Sequence, residues 1–193
     1  MGKKYENGLV YGVGHMDLPG QSNTPAYWAW HGMIKRCYCE WRVAIRPTYR
    51  ECSVCDDWLY FSKFKPWYDG NYREGFCLDK DIIGRYSKVY SPETCAYVPS
   101  RINALVLRRD GARGKYPIGV TYSKDKKKFE AQMRQMKRIV SLGLYKTPED
   151  AFFAYKKAKE AYVKKVAREY YDLGEITKRV YDALVRYEVE ITD

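Results

Sequence analysis

No part of the sequence approaches the ~20 consecutive apolar residues that a membrane-spanning helix needs. The opening MGKKYENGLVYG lacks the apolar core of an export signal, and MGKK is not followed by the Ser or Thr of a myristoylation signal. These absences predict a cytoplasmic protein without a membrane span, an export signal or a lipid anchor.

Acidic residues are too few to balance the basic ones. The 193 residues include 35 Lys and Arg against 24 Asp and Glu, which gives a net charge of +11 and a pI near 9.3. Such an excess favours a polyanionic partner, either nucleic acid or an anionic membrane surface. Of the two we expect nucleic acid, and we expect no association with a membrane.

Cysteine and tryptophan are both absent after Cys95. The chain is 46% hydrophobic and 16% aromatic, so it is globular and can bury one good core or two small ones. The change in composition favours two. Segment 108–115, RRDGARGK, is rich in glycine and basic residues and reads as a linker. We therefore predict one domain over residues 1–110 and another over residues 111–193.

Two helices are predicted in the first domain. Thr24-Pro25 is typical of a helix start, and apolar residues at helical spacing extend this helix to about Tyr38. A second helix is indicated from Trp58 to near Tyr68 by aromatic residues at three-residue steps. We interpret that aromatic stripe as core rather than as a ligand site.

Two strands and a helix follow. Strands are predicted at residues 75–82 and 94–98, separated by the polar loop RYSKVYSPE, and Pro99 fits the first turn of the next helix. The predicted order is strand, long loop, strand and helix.

The second domain has a different pattern. Residues 116–123, 128–134 and 138–143 alternate apolar with polar side chains, which predicts a three-stranded antiparallel sheet with one exposed face. Thr147 precedes a proline and two acids, the signature of a long helix that should cover the other face of the sheet. A terminal helix is expected after Gly174. The predicted fold class is therefore α+β.

The sequence LDKD at residues 78–81 places three charges at the end of a predicted strand. On a strand Asp79 and Asp81 point to one face and Lys80 to the other, unless the strand ends there and twists. Two carboxylates on one face repel unless a cation neutralises them, and a divalent metal ion suits such oxygen ligands. Asn103, in the following helix, is a candidate further ligand. The alternative is that the two acids only pair with Lys80 and Arg85 at a surface strand.

Residues 78–103, LDKDIIGRYSKVYSPETCAYVPSRIN, resemble the ββα-metal core of HNH-type endonucleases, in the form found in phage homing-endonuclease-like proteins. An upstream block with the pattern W, RCY, PTY and CxVCDxW extends the resemblance to about residues 11–110. In this sequence the block comprises Trp30, Arg36-Cys37-Tyr38, Pro47-Thr48-Tyr49 and Cys52–Trp58. The resemblance implies an N-terminal ββα-metal domain with flanking helices.

The resemblance implies that Asp79 and Asn103 bind one Mg²⁺ or Mn²⁺ ion. Lys80 stands where the family usually has its general-base histidine, and a lysine with a pKa of ~10.4 is protonated at neutral pH. His15 and His31 lie far away in sequence. Three alternatives stay open: Asp81 orients the water while Lys80 clamps the phosphate, Lys80 is a desolvated base, or the site is a relic.

Four of the cysteines are candidate ligands for a second metal ion. Cys52 and Cys55 have the CxxC spacing of a zinc knuckle, and Cys37 and Cys39 are candidates to complete a structural Zn²⁺ site. In a chain without an export signal, thiols or metal ligands are favoured over disulfides. Buried free thiols are the alternative to zinc binding.

Residues 115–168 resemble the three-strand-plus-helix DNA-binding domain of plant ethylene-response factors, which phage homing enzymes often append. Basic residues crowd the turn before the second strand and continue along it, where they suit contacts to phosphates and base edges. A solvated, lysine-rich turn is the alternative. The candidate DNA-binding residues are Lys124, Lys126, Lys127, Lys128, Arg134 and, in the first domain, Arg101.

Two functions follow from these features. The first is a metal-dependent endonuclease of the HNH type that hydrolyses a phosphodiester of double-stranded DNA, acting as a phage protein in the cytoplasm of its host. The second is a catalytically weak or inactive phage DNA-binding protein, a regulator or an inhibitor of a host defence system, for which a host protein is a further candidate partner. The sequence leaves the oligomeric state and the target site open.

Overall fold

The computed structural model describes residues 5–6, 8–85, 87–107, 114–136 and 138–191. The chain divides into two compact units, unit 1 (Met1–Asn103) and unit 2 (Ala104–Asp193). The predicted domain boundary at residues 110 and 111 lies outside the described residues, as does most of the predicted linker. Within the part of the chain that is described, no helix combines the length and apolarity needed to cross a membrane.

Unit 1 begins with a short antiparallel pair and two helices. Strands β1 (Tyr5–Glu6) and β2 (Leu9–Val10) precede α1 (Pro25–Tyr38) and α2 (Glu40–Ile45). The hydroxyl of Thr24 accepts a hydrogen bond from the backbone N–H of Tyr27 at 3.2 Å, so it caps α1. The predicted first helix is confirmed, because both its cap and its spacing are local features.

The aromatic stripe forms the core of unit 1, as predicted, but not as one helix. A 3₁₀ turn (Asp56–Leu59) and α3 (Phe61–Asn71) are separated by Tyr60 in an extended conformation. The break occurs because His15 pairs with the backbone there, donating its N–H to Leu59 and accepting the N–H of Phe61. Trp58 and Phe61 are almost completely buried.

Two small strand pairs complete the described part of unit 1. After a 3₁₀ turn (Pro47–Tyr49), β3 (Ser53–Val54) pairs in parallel with β5 (Val89–Tyr90), so the predicted polar loop contains a strand. Strand β4 (Phe76–Asp79) pairs antiparallel with β6 (Ala96–Pro99). The helical turn α4 (Asp81–Gly84) follows β4, and α5 (Ser100–Val106) follows β6. Pro99 thus ends a strand, whereas the sequence placed it in a helix.

Unit 2 contains the predicted three-stranded antiparallel sheet, in the order β7 (Val120–Ser123), β8 (Lys128–Gln135) and β9 (Arg138–Tyr145). The first strand starts at Val120 rather than at residue 116. Pro117 has no N–H for a strand ladder, and Gly119 turns the chain with φ of +77°. Strand β9 carries one extra residue, Leu142, where its register with β8 shifts.

A long helix covers one face of this sheet, as predicted. Helix α6 (Pro148–Asp172) is capped by Thr147 and buries Ala151, Phe152 and Tyr155 against the inner sheet residues Val120, Ala131 and Met133. Helix α7 (Lys178–Val185) follows. Val189 then enters the same core, with its N–H donated to Glu160 Oε1 and its carbonyl accepting from Lys156 Nζ. The α+β class is confirmed.

Candidate functional site

The carboxylate of Asp79 ends strand β4. Its Oδ1 accepts the backbone N–H groups of Asp81 at 2.9 Å and Ile82 at 2.7 Å, which caps the helical turn α4. The strand therefore stops three residues before its predicted end. Asp79 and Asp81 do not share one face of a strand, because the strand ends at Asp79 and Asp81 already belongs to the helical turn.

Asp79 is buried, with only 9% of its surface exposed. Burial raises the pKa of this carboxyl, the nearby Asp81 charge adds to the rise, and the two N–H donors oppose it without cancelling it. Its other oxygen, Oδ2, has no hydrogen-bond partner among the described residues. A cation beside Oδ2 would stabilise the ionised form.

Lys80 does not present its ammonium group to solvent. The side chain is 7% exposed, and Nζ lies 2.5 Å from Oδ1 of Asp81 and 5.7 Å from the ring centre of Tyr90. Burial alone would lower the pKa of Lys80, but the ion pair with Asp81 outweighs it, so the pKa is raised. This direction is opposite to the one that a desolvated lysine base requires.

Asp81 is the accessible member of this ion pair. Its side chain is 61% exposed, and Lys80 holds it from the buried side. Arg36 donates a hydrogen bond to the hydroxyl of Tyr90 at 3.3 Å, so Lys80 and Arg36 lie near the same tyrosine. Lys80 therefore acts on Asp81, and Asp81 is the group that a solvent molecule can reach.

The hairpin of β4 and β6 leads directly into α5, which carries Arg101 and Asn103. The hydroxyl of Ser100 donates to the carbonyl of Gly75 at 3.2 Å, so the start of α5 is tied to the start of β4. Asp79 lies at the other end of the hairpin, about 10 Å along the strand. Arg101 and Asn103 are half-buried, one on each side of the fully buried Ile102. An ion shared by Asp79 and Asn103 requires α5 to run back along the hairpin.

The CxxC segment is an extended strand and not the predicted knuckle. The N–H groups of Ser53 and Cys55 donate to the carbonyls of Lys88 and Tyr90, so alternate residues point to opposite sides. Burial raises the pKa of both thiols, but the Lys80 charge opposes the rise at Cys52, whereas nearby carboxylates add to it at Cys55. The two thiols therefore have different surroundings.

The structural Zn²⁺ site at the four cysteines stays a prediction, as does its free-thiol alternative. Cys37, Cys39, Cys52 and Cys55 form no disulfide, and burial raises the pKa of the Cys37 thiol to about 12. Across the described ranges, no group of three or more His, Cys, Asp or Glu side chains is arranged to hold a metal ion. The amide of Asn103 is not one of these four side-chain types.

The uncovered face of the sheet in unit 2 and the turn between β7 and β8 together carry five of the six candidate DNA-binding residues, all but Arg101. Ala131 and Met133 point into the core, so Lys128, Gln132 and Arg134 alternate onto the other face of β8. Lys124, Lys126 and Lys127 are exposed in the turn between β7 and β8.

Sequence reasoning missed one member of this face. Ile139 is paired opposite Arg134 and is 62% exposed, so an apolar side chain lies beside the basic ones. The alternation of side chains along β9 could have predicted this position, since Ile139 and Ser141 are two residues apart and lie on the same face of the sheet. The hydroxyl of Ser141 donates a hydrogen bond to Oε1 of Glu130 at 2.5 Å, so this acidic side chain of the same face already has a partner.

Comparisons with known proteins add no relative, because no family model, curated protein or solved structure matches this chain.

Proposed function

We propose that the chain is a metal-dependent endonuclease of the HNH type that hydrolyses double-stranded DNA, as in the phage homing-endonuclease-like proteins that its sequence resembles. The observation that carries the proposal is the buried Asp79 carboxylate at the end of a hairpin that continues into the helix of Asn103. One oxygen of Asp79 caps α4, and the other has no partner among the described residues. A carboxylate and an amide are hard oxygen ligands of the kind that Mg²⁺ and Mn²⁺ prefer.

In this proposal the residues of the site have distinct roles. Asp79 and Asn103 would hold the ion, which when bound supplies Lewis-acid stabilisation of the charge that develops on the phosphate. Asp81 orients a water molecule, because its carboxylate is exposed and Lys80 fixes its position. Lys80 is a positioning residue, since its ammonium group is directed to Asp81 and shielded from solvent.

The basic face of unit 2 supports duplex DNA as the substrate. Lys128 and Arg134 lie on the uncovered side of an antiparallel sheet, and three further lysines lie in the adjoining turn. Phosphate contacts from such a surface would fix the position of the duplex, and strand side chains would reach base edges. The net charge of +11 agrees with binding to a polyanion.

A second candidate is a DNA-binding protein that does not cleave, acting as a regulator or as an inhibitor of host defence. The observation in its favour is the burial of Lys80 and its raised pKa, which leave the usual position of the general base cationic at neutral pH. Both candidates use the same basic face of unit 2, so they differ only in the chemistry at the hairpin.

A plasmid-nicking assay separates them. Wild-type protein is incubated with supercoiled DNA in Mg²⁺, Mn²⁺ or EDTA, beside Asp79→Asn, Asn103→Ala and the control Asp69→Asn. Asp69 is an exposed carboxylate of the same unit, paired with Lys65. We expect cleavage with a divalent ion, at least 100-fold less in the two site variants, and unchanged cleavage in the control. DNA binding without cleavage under every metal condition would reject the endonuclease and leave the second candidate.

A further inference from the structure

Helix α2 has no buried residue, although it belongs to a compact unit. Trp41 and Ile45 are 55% and 50% exposed, and at a spacing of four residues they lie on one side of the helix. An exposed tryptophan beside an exposed isoleucine is an apolar surface without a partner in the described chain. We call Trp41, Arg42, Ile45 and Arg46 the α2 surface.

Cations flank this apolar pair. Residues 40–50 contain three arginines, Arg42, Arg46 and Arg50, against the single acid Glu40. None of the three arginines forms an ion pair within the described residues. Their charge is therefore available to an external anion.

The backbone holds this segment in one conformation. The N–H of Val43 donates to the carbonyl of Cys39 at 2.9 Å, and that of Arg46 donates to Arg42 at 3.1 Å. The N–H of Tyr49 then donates to Arg46, and that of Cys52 donates to Tyr49. This chain of hydrogen bonds connects α2 to strand β3, so the exposed side chains project from a fixed support.

We infer that the α2 surface is a second DNA-contacting surface, in unit 1, distinct from the basic sheet of unit 2. Trp41 and Ile45 would lie against the sugars and bases of a duplex groove, and the arginines would contact the flanking phosphates. Apolar wedges between basic side chains are used in this way by proteins that bind and bend DNA. The inference rests on the proposed function, because it takes duplex DNA as the partner.

An exposed apolar patch could also bind a second copy of the chain or a membrane, but the charge of the α2 surface favours DNA. A second copy of the chain would bring a like-charged surface against the arginines, which repels. Anchoring at a membrane interface scales with buried apolar area, and two large side chains on a six-residue helix offer little of it. A nucleic-acid duplex satisfies both the arginines and the tryptophan.

Binding of a labelled 30-base-pair duplex, measured by fluorescence anisotropy at several salt concentrations, tests the inference. Trp41→Ala should weaken binding about tenfold, with little change in salt dependence, because it removes an apolar contact. The double variant Arg42→Gln and Arg46→Gln should lower the slope of log K against log salt by about 2, since each arginine releases about one counterion.

Two matched controls keep the result specific. Trp28→Ala removes an exposed tryptophan of α1 that is 46% exposed and bonded to Asn23. Lys65→Gln removes a cation of unit 1 that is already paired with Asp69. Both controls should bind DNA as the wild type does, and circular dichroism should show that every variant is folded.

Each outcome separates this inference from the proposed function. Wild-type binding with α2 variants that match it in affinity and salt slope would overturn the inference and leave the proposed function intact. Failure of the wild type to bind any duplex at low salt would overturn both. Vesicles with 30% phosphatidylserine form the last arm, and a loss of vesicle binding in Trp41→Ala without a loss of DNA binding would assign the surface to a membrane.

Discussion

Asp79 has one observed role and one proposed role, and one pair of substitutions separates them. Its Oδ1 caps α4 through two backbone N–H groups, and its Oδ2 is proposed to contact a metal ion. Asn keeps an amide oxygen that can accept both N–H bonds but removes the negative charge. Ala removes the cap and the charge together. Asp79→Asn and Asp79→Ala therefore differ in the cap alone.

The expected difference in stability between Asp79→Ala and Asp79→Asn follows from the two hydrogen bonds that Ala cannot accept. Loss of a capping side chain costs about 1 kcal/mol. The buried N–H of Ile82 would also be left without a partner, which adds roughly 1 kcal/mol more. We expect Asp79→Ala to lower the free energy of unfolding of unit 1 by about 2 kcal/mol relative to Asp79→Asn, with metal removed by EDTA.

The pH dependence gives a second signature. Because the folded-state pKa of Asp79 is raised, its contribution to stability is fully present below the unfolded-state pKa and is lost as pH rises through the folded-state pKa. Asp79→Asn does not titrate. Its stability relative to the wild type should therefore improve as pH is raised from about 4 to 7 in EDTA.

Urea unfolding followed by tryptophan fluorescence measures these effects in unit 1 alone, since all five tryptophans lie before residue 68. Equal stability of Asp79→Asn and Asp79→Ala would refute the capping role. Addition of Mg²⁺ at about 100 times its Kd should stabilise the wild type by about 2.7 kcal/mol and leave Asp79→Asn unchanged. Equal stabilisation of both proteins would refute the metal-binding role.

Two further predictions concern charge and packing. Asp81→Ala should destabilise unit 1 by about 1–2 kcal/mol, because it leaves the buried Lys80 ammonium without its partner. The double variant with Lys80→Met should regain this loss in urea unfolding. Additive effects of the two substitutions on the free energy of unfolding would contradict the pairing. Gly119→Ala should cost unit 2 about 3 kcal/mol, because its Cβ would lie 2.1 Å from the Tyr155 ring at a φ of +77°. The control Gly174→Ala has φ of +68° but open space and should cost only about 1 kcal/mol in thermal unfolding by circular dichroism; equal costs would contradict the steric argument.

Local patterns in the sequence predicted the elements that depend on local interactions. Helices α1 and α6 begin at Thr24 and Thr147, where a capping hydroxyl precedes a proline and a periodic apolar stripe. The sheet of unit 2 followed from alternation, because one covered face imposes a period of two. Its basic outer face was predictable for the same reason, since Lys128 and Arg134 have the opposite parity to Ala131 and Met133.

Contacts between distant segments decided the rest of the candidate site. The pairing of β3 with β5 joins residues more than 30 positions apart, and it turned the CxxC segment into a strand with its thiols on opposite sides. Sequence periodicity carries no signal for a two-residue pairing of this kind. The tertiary structure therefore decided the backbone conformation between Cys52 and Cys55.

In the LDKD segment, too, the sequence determined some properties and the tertiary structure determined others. Its residue types already determined that two carboxylates and a cation lie together at the end of a strand. Only the tertiary structure decided that Lys80 is the buried member, that Asp81 is the exposed one, and that Asp79 ends the strand by capping α4. The reason is physical: composition fixes which charges are present, whereas burial and hydrogen bonding, which set their pKa values and accessibility, arise from the segments packed around them.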